Sequence, residues 1–374
     1  MNILQKSIFI FFIVVLPTIT NIYAGTNEVS QHHTSNILPK TNWGFHPFTI
    51  PKLTIIVKPG ENIQDAIDKL PNGGTLKLTA GIFDAHRVNL KSNIIFEGAG
   101  DEKTIINFKG KPDTYLIGVT GDMTKNIIIR NLTLNATGNG VANGLEITYG
   151  VSNILIENIE IFGAGRSNIM VWSPDWKRSC QYITFENINS HHAQLHGFTL
   201  GFVKGIVIAN CKAFNNVSGD GWNLSEVLYG EIVNNQSYNN ASGIEYFGAS
   251  YIYMHDNYIN NSSKVGIRFS RLIEDKLYLD MENNVIMNSS SGVVDWGDTY
   301  PTPTFAELVL KGNKLSKNTS NYIRIRGADK IYEYDDDIGV TKARAGIVNP
   351  IQRPNGSTPA NDNIGYTSWP MFSK

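Results

Sequence analysis

The sequence has few cysteines, no excess of charge of either sign and, after its first residues, no long hydrophobic run. Its two cysteines, Cys180 and Cys211, are too few to form a disulfide framework. The 32 basic and 33 acidic residues nearly cancel, which excludes a general electrostatic attraction to nucleic acid or to a membrane surface. No later segment approaches the roughly 20 apolar residues of a membrane-spanning helix. Any charged partner must therefore bind through a local patch.

The N-terminus has the pattern of a secretory signal, which we place at residues 1–24. It combines a basic residue, Lys6, with an apolar stretch from Ile8 to Pro17 and a small residue, Ala24. The apolar stretch is shorter than a membrane span. We therefore expect an exported protein, secreted or periplasmic.

The rest of the chain shows no linker rich in proline or serine that would divide it into domains. A single elongated domain is thus expected despite the length. We predict an N-terminal extension at 25–51, the domain itself at 52–330, and a C-terminal capping tail at 331–374. The sequence leaves the oligomeric state open.

A repeat dominates this domain. Alternating apolar residues run into an asparagine again and again, as in "NILIENIEI" and "GIVIANCKA", which is the pattern of a strand followed by a turn. Eight asparagines, taken as equivalent, are spaced 22 to 29 residues apart: Asn131, Asn158, Asn187, Asn210, Asn235, Asn257, Asn284 and Asn313. Asparagine tolerates the left-handed backbone region and suits such turns. Cys211 falls where earlier repeats have Ile159 and Ile188, so we expect a buried thiol there.

A second strand follows each turn, as in "NGLEITYG" and "GDGWNLSE". Short parallel strands repeated at this period predict an all-β fold, a right-handed parallel β-helix solenoid. Just before the first coil, "GENIQDAIDKLPNGG" has the spacing of an amphipathic helix, with Asn62 as its N-cap. We predict that this helix caps the open strand edges at the N-terminal end.

Side chains alternate along a strand, so the second strands should present one inward and one outward column. The inward column contains Trp222, which we assign to the core. The outward side concentrates polar groups on consecutive coils, and we predict a candidate catalytic set of His196, Asp220, Glu245, Arg268 and His192. Ionisable groups this close are expected to shift one another's pKa values. Asp220 beside Gly221 also fits an ordinary turn, and Glu245 with Arg268 also fits a cross-coil ion pair.

Further residues flank this groove and are predicted to bind substrate. They are the aromatic, basic and amide residues Trp172, Lys177, Arg178, Asn223, Lys264, Arg271 and Tyr246. Trp172, Lys177 and Arg178 belong to the insertion "WSPDWKRS", which lengthens one coil. No metal ligands are assigned, because the "DDD" at 335–337 lacks the spacing of a calcium loop.

The entry segment "ENIQDAIDKLPNGGTLKLTAGIF" and the coils after it resemble the pectate-lyase-like β-helix superfamily of polysaccharide lyases, hydrolases and mannuronan C5-epimerases. The stretch "SGDGWNLSE" resembles the Asp-Asp-Gly-Trp-Asp-Leu motif of one pectate lyase family. In that alignment, however, His196 replaces a calcium-binding aspartate and Gly201 replaces the catalytic lysine. The epimerase motif Tyr-Gly-Phe-Asp-Pro-His likewise meets Thr199 and Gly201 at its essential aspartate and histidine.

The resemblance implies an enzyme that acts on an acidic, uronate-containing polysaccharide, and we predict cleavage by β-elimination of the alginate or pectin type. Arg268 would neutralise the uronate carboxylate, and His196 or His192 would be the base. The alternatives are a glycoside hydrolase that uses Asp220 and Glu245, a uronate C5-epimerase, and a non-catalytic glycan-binding protein. The sequence requires no cofactor and leaves calcium possible.

Overall fold

The structure is a computed structural model that describes residues 43–138, 140–270, 277–295, 305–325, 331–334 and 346–347. These residues form 28 strands, numbered in chain order, in one continuous sheet. Each strand pairs in parallel with its counterpart in the next coil, for example Ile154 with Ile183. The chain therefore winds as a parallel β-helix whose coils have three faces.

Face 1 carries the candidate site and consists of β4 (Val88–Leu90), β7 (Asp113–Thr120), β9 (Val141–Thr148), β11 (Ser167–Trp172), β17 (Ser242–Phe247), β20 (Val265–Ser270), β23 (Ser291–Asp295), β26 (Ser320–Ile325) and β28 (Gly346–Ile347). Face 2 consists of β1 (Thr54–Val57), β2 (Gly74–Leu78), β5 (Ile94–Glu97), β18 (Ser250–His255), β21 (Leu277–Glu282), β24 (Phe305–Lys311) and β27 (Ile331–Tyr334). Face 3 consists of β3 (Gly81–Ala85), β6 (Thr104–Phe108), β14 (Lys212–Phe214), β16 (Gln236–Tyr238), β19 (Tyr258–Asn260), β22 (Val285–Met287) and β25 (Lys314–Ser316).

Five longer strands bend from one face to the next. Faces 1 and 2 share β13 (His196–Ala209) and β15 (Trp222–Val233), while faces 2 and 3 share β8 (Lys125–Asn135), β10 (Ser152–Phe162) and β12 (Cys180–His191). Because the coils stack in register, equivalent residues of successive coils lie about 4.8 Å apart. The last two strands, β27 and β28, extend the pairing past residue 330, where the sequence predicted that a tail begins.

The helix predicted before the first coil is present as α1 (Ile63–Asp68). The Asn62 side chain accepts hydrogen bonds from the backbone N–H groups of Gln64 and Asp65, as expected of an N-cap. Ile63 and Ile67 are buried in the hydrophobic core. A second short helix, the 3-10 turn Trp176–Arg178, belongs to the insertion beside face 1. Neither of the helices described here has the length and apolarity needed to cross a membrane.

The core fills the inside of the coils with stacked apolar side chains. The predicted inward column of face 1 is confirmed, since all of its members are almost fully buried: Leu145, Ile169, Phe198, Trp222, Ile244, Ile267 and Val293. Cys211 is also buried and is a free thiol, as predicted. Cys180 is a second buried free thiol. Burial of apolar side chains from all three faces provides the hydrophobic stabilisation.

The asparagine column of the sequence combines two separate columns of the structure. Asn131, Asn158, Asn187 and Asn210 adopt positive φ angles of 52° to 57° at the turn between faces 2 and 3, as predicted. In the next coil that turn position belongs to Asn234 (φ 53°), not to Asn235. A shift of one residue reverses the side of the coil on which a side chain lies, so the other four predicted members point inward.

These four residues form a buried ladder: Asn235, Asn257, Asn284 and Asn313. Asn257 is typical, because its Nδ2 donates to Oδ1 of Asn284 at 2.9 Å and to the carbonyl of Ile232 at 2.8 Å. Its Oδ1 accepts from the backbone N–H of Asn235 at 2.9 Å. The ladder therefore satisfies buried backbone groups that the strands leave open.

Replacing Asn257 with leucine should lower the free energy of unfolding by at least about 2 kcal/mol, because several buried polar groups lose their partners. Equilibrium denaturation would measure the loss. The control is Asn260→Ala, since Asn260 is half-buried on the outer side and accepts one hydrogen bond from Asn288. Equal losses in the two variants would contradict a special role for the buried ladder.

The segment just before β1 lies across face 2. The backbone N–H of Phe45 donates to Oγ1 of Thr184 at 2.9 Å, and His46 exchanges two hydrogen bonds with the side chain of Asn153 at 2.6 and 2.9 Å. These partners belong to neighbouring coils, so this part of the predicted N-terminal extension links several coils. The predicted signal at 1–24 lies outside the described residues.

Candidate active site

The outward central column of face 1 runs through Glu146, Met170, Thr199, Asn223, Glu245, Arg268 and Val294 in register from coil to coil. The sequence predicted three of its members, Asn223, Glu245 and Arg268, as site residues. His196 occupies the position three residues before Thr199, and Asp220 the position three before Asn223. The structure therefore brings five predicted residues onto four neighbouring coils, and we call them the charged network: His196, Asp220, Asn223, Glu245 and Arg268.

Hydrogen bonds and ion pairs connect the charged network from end to end. Arg268 forms an ion pair with Glu245, and Nδ2 of Asn223 donates to Oε2 of Glu245 at 3.0 Å. The same Nδ2 lies 3.4 Å from Oδ2 of Asp220. The carboxyl groups of Asp220 and Glu245 lie close enough to affect each other's pKa. The network thus places a cation at one end, a histidine at the other, and two carboxyl groups between them.

His196 contacts Asp220 through one ring nitrogen. Its Nδ1 lies 3.0 Å from the backbone N of Asp220 and 3.3 Å from Oδ2 of the same residue. In one tautomer Nδ1 accepts the backbone N–H, and in the other it donates to the carboxylate. Both contacts to Asp220 use Nδ1, and Nε2 is the ring nitrogen that does not contact this residue.

Burial separates the members of this network into two groups. The side chains of Asp220 and Glu245 are each 4% exposed, whereas those of His196 and Arg268 are 10% and 14% exposed. Asn223 is buried as well. The histidine and the guanidinium therefore reach further toward the surface than the carboxyl groups.

The two carboxyl groups differ in protonation. Burial raises the pKa of Glu245; Arg268 opposes this rise, and the Asp220 carboxylate adds to it. Burial also disfavours ionisation of Asp220, but hydrogen bonding to His196 and the charges of His196 and Arg268 hold its pKa below the usual range. The opposite shifts of these two neighbouring groups mean that Asp220 ionises at a lower pH than Glu245.

An aromatic wall borders the charged network. Trp172 lies directly over Gly201 of the next coil, where an added Cβ would come within 2.0 Å of its ring. Phe202 packs edge-on against Trp172 and Trp176, with ring centroids 5.6 and 5.4 Å away. The wall occupies the space that a side chain at position 201 would need.

Gly201→Ala should displace Trp172 and cost about 1–3 kcal/mol of stability through overpacking. Chemical denaturation would measure this loss. In the background of Trp172→Ala the same substitution should cost much less, because the clashing ring is gone. Equal costs in the two backgrounds would show that Trp172 does not occupy this position.

The predicted basic residues lie at the edges of face 1. Lys177 and Arg178 are exposed on the 3-10 turn after Trp172, with Arg178 5.6 Å from the centroid of the Tyr149 ring. Lys264 is half-buried in the turn before β20. Arg271 lies outside the described residues.

Two predicted site residues lie elsewhere. Tyr246 points into the core because it follows Glu245 in an alternating strand, and its hydroxyl donates to Sδ of Met254 at 3.0 Å. His192 adopts a left-handed backbone (φ 56°) and turns toward face 3, where its Nδ1 lies 2.6 Å from Nδ1 of His191. Tyr246 is therefore not a groove residue, and His192 does not join the charged network.

The sequence interpretation missed a second polar cluster on face 1. Tyr115 occupies the same column as His196, through the pairs Tyr115–Asn143, Asn143–Ser167 and Ser167–His196. Arg87 and Arg166 lie near it. Extending the sequence column of His196 toward the N-terminal coils would have revealed Tyr115. Arg87 and Arg166 lie in turns and follow no repeat, so no sequence signal indicated them.

The donor groups of the charged network do not suit a calcium ion. Calcium prefers several oxygen ligands, but the Glu245 carboxyl group is bound to Arg268 and that of Asp220 to His196. Within the described ranges, no group of three His, Cys, Asp or Glu residues is placed to hold a metal ion.

Comparisons with known proteins agree on the fold. Residues 175–338 match the family model described as the right handed beta helix region. The A-module of a mannuronan C-5 epimerase of Azotobacter vinelandii superposes with a TM-score of 0.54 at 20% identity, covering 74% of this chain and 90% of that one. No curated protein matches the sequence significantly.

Two other solved structures are similar. A pectate lyase gives a TM-score of 0.55 at 14% identity, covering 75% of this chain and 79% of its own. A hyperthermoactive exopolygalacturonase of Thermotoga maritima gives 0.55 at 14% identity, covering 78% and 87%. The protein is thus a right-handed parallel β-helix.

Proposed function

We propose that this protein is a secreted enzyme that cleaves an acidic, uronate-containing polysaccharide by β-elimination. The observation that carries the proposal is the charged network, in which a histidine and an arginine are more exposed than the two carboxyl groups. Similar structures include a pectate lyase, a mannuronan epimerase and an exopolygalacturonase, all of which share the fold. Export rests on the predicted signal at 1–24.

Elimination needs a base, and His196 is suited to this role. With Nδ1 donating to the Asp220 carboxylate, Nε2 is unprotonated and accepts the C5 proton of the uronate. The C4–O bond then breaks, a C4–C5 double bond forms, and the leaving oxygen takes the proton back from the imidazolium. Asp220 stays ionised and stabilises the imidazolium, so it is a positioning residue.

Elimination also needs the uronate carboxylate to be neutralised, because the C5 proton becomes acidic only when the developing negative charge is stabilised. Arg268 offers a guanidinium at the other end of the network. Glu245 holds this guanidinium in place through their ion pair. Lys177, Arg178 and Lys264 at the groove edges add positive charge for a polyanion, and Trp172 offers a flat surface for a sugar ring.

The hydrolase alternative has less support. Glycosidases place their two carboxyl groups on either side of the scissile bond, about 5–5.5 Å or 6.5–9.5 Å apart. Here one atom, Nδ2 of Asn223, lies 3.4 Å from Asp220 and 3.0 Å from Glu245, and both carboxyl groups are almost fully buried, which leaves no room for a sugar between them. Epimerisation shares the step of C5 proton removal and differs only in how the proton returns.

The test is to incubate the purified protein with alginate, pectate and glycosaminoglycans and to follow the ultraviolet absorbance of the unsaturated uronate. An increase in absorbance with one polymer supports β-elimination and identifies the substrate class of the enzyme. New reducing ends without absorbance would instead show hydrolysis. A change in the proton spectrum of an uncleaved polymer would show epimerisation, and binding without change would overturn an enzymatic function.

A further inference from the structure

We propose that the second polar cluster on face 1 is a distal subsite that binds another acidic sugar of the same polysaccharide. We call it the N-terminal subsite and define it by Arg87, Tyr115, Asn143, Glu146 and Arg166. The inference rests on the proposed function, because it assumes an acidic polysaccharide along face 1.

Arg87 lies at the start of this subsite, where its exposed side chain packs against the buried ring of Tyr115. The Tyr115 ring lies over Gly118, where an added Cβ would come within 2.3 Å of it, just as Trp172 lies over Gly201. The Arg87 guanidinium sits 5.3 Å from the centroid of the ring, and its Nε donates to Oη of Tyr115 at 3.3 Å. The buried ring holds a guanidinium that is itself exposed, and a guanidinium suits a sugar that carries a carboxylate.

The next coil repeats the geometry of the charged network. Nδ2 of Asn143 donates to Oε2 of Glu146 at 2.8 Å, which joins the same two columns that Asp220 and Asn223 join three coils later. Burial raises the pKa of Glu146, although Asn143, Arg166 and Arg87 oppose this rise. The subsite therefore contains two arginines and the Glu146 carboxyl group, whose pKa is raised. It also includes Asp113, which Arg87 contacts at 3.6 Å.

Two buried polar atoms beside Glu146 indicate that a ligand binds here. Within the described part of the chain, Oδ1 of Asn143 and Oγ1 of Thr148 are the buried polar atoms of β9 that have no hydrogen-bond partner. Both residues face the outward side, and they are only 3% and 4% exposed. Such atoms cost about 1–3 kcal/mol each when unpaired, and sugar hydroxyls would supply the missing partners.

The spacing of the two clusters sets the length of the ligand. Glu146 and Arg268 are five coil steps apart through Met170, Thr199, Asn223 and Glu245, which corresponds to about 24 Å. A sugar in a linear polysaccharide advances by a distance similar to one coil. A ligand that reaches both clusters therefore has about five or six sugars.

The experiment is calorimetric titration with oligogalacturonates and oligoalginates of two to eight sugars, using inactive His196→Ala protein so that nothing is cleaved. The affinity should rise with length and level off at about six sugars. Arg87→Gln should lower the affinity for the six- to eight-sugar chains by about tenfold, and the affinity for two- or three-sugar chains is the internal reference. Lys109→Gln is the matched control, because it removes one exposed charge on face 3.

The outcomes separate this inference from the proposed function. The N-terminal subsite would be overturned by an affinity that does not depend on chain length, or by equal effects of Arg87→Gln and Lys109→Gln on long chains. Either result would stand even if the wild-type protein cleaves the polymer by β-elimination. Length-dependent binding sensitive to Arg87→Gln, with no turnover by the wild type, would support the subsite and overturn elimination. Absence of binding to every oligomer would overturn the subsite.

Discussion

Replacing His196 with alanine should lower the rate of elimination by about 10²–10⁴-fold, the usual contribution of a positioned general base. His196 is the histidine of face 1 whose ring contacts Asp220, and its Nε2 is the nitrogen placed to react. The measurement is the rate of unsaturated-uronate formation on the polymer that the wild-type protein cleaves. Substrate affinity should change far less than the rate.

The alanine variant also removes a ring that lies 3.3 Å from the buried Asp220 carboxylate, so stability has to be measured separately. His196→Asn keeps a polar side chain that can donate to this carboxylate but has no basic nitrogen, and it should be as inactive as the alanine variant. His192→Ala is the matched control, because His192 is exposed and turned toward face 3. Turnover close to wild type in both His196 variants would contradict the assignment of the base.

Much of the fold follows from the sequence because a solenoid repeats its physical requirements in every coil. The inward column, the turn asparagines and the N-cap at Asn62 each follow from the alternation or backbone preference of single residues. The assignment of Asn235 to the turn column was wrong, because the pair Asn234–Asn235 offers two candidates for the turn position. Only the register of neighbouring coils decides between them, as Ile208 pairs with Ile232.

The candidate site could be predicted in part for the same reason. Alternation placed Asn223, Glu245 and Arg268 on one outward column, and the stacking of coils brought them together. The same alternation excludes Tyr246, which immediately follows Glu245. The position of His192 depends on the left-handed backbone of a turn, and Arg87 reaches Tyr115 from outside the strands. Such contacts depend on turn geometry, which no repeat specifies.

Replacing Arg268 with alanine should destabilise the protein by about 3 kcal/mol at mildly alkaline pH, because it leaves the buried Glu245 carboxylate without its cation. The side chain of Glu245 is only 4% exposed, so its carboxylate depends on the guanidinium for stabilisation. Burial already raises the pKa of Glu245, and Arg268 opposes this rise. In the variant the pKa should therefore be raised further.

The sign of the pH dependence follows from this shift. A carboxyl group whose pKa is higher in the folded than in the unfolded state binds its proton more tightly when folded, so stability falls as pH rises from the unfolded value of about 4.3 through the folded pKa. Arg268→Ala should thus be close to wild type in stability near pH 4 and should lose most at pH 8. Equilibrium denaturation at both values measures the difference, and a loss independent of pH would contradict this explanation.

A second substitution separates stability from chemistry. Glu245→Gln removes the charge that Arg268→Ala leaves buried, so the double variant should recover most of the lost stability at pH 8. It should not recover turnover, because the cation that faces the uronate carboxylate is still absent. If the double variant regained both, Arg268 would serve only to neutralise Glu245. Recovery of stability alone would show that Glu245 holds the guanidinium in place and that the guanidinium acts on the substrate.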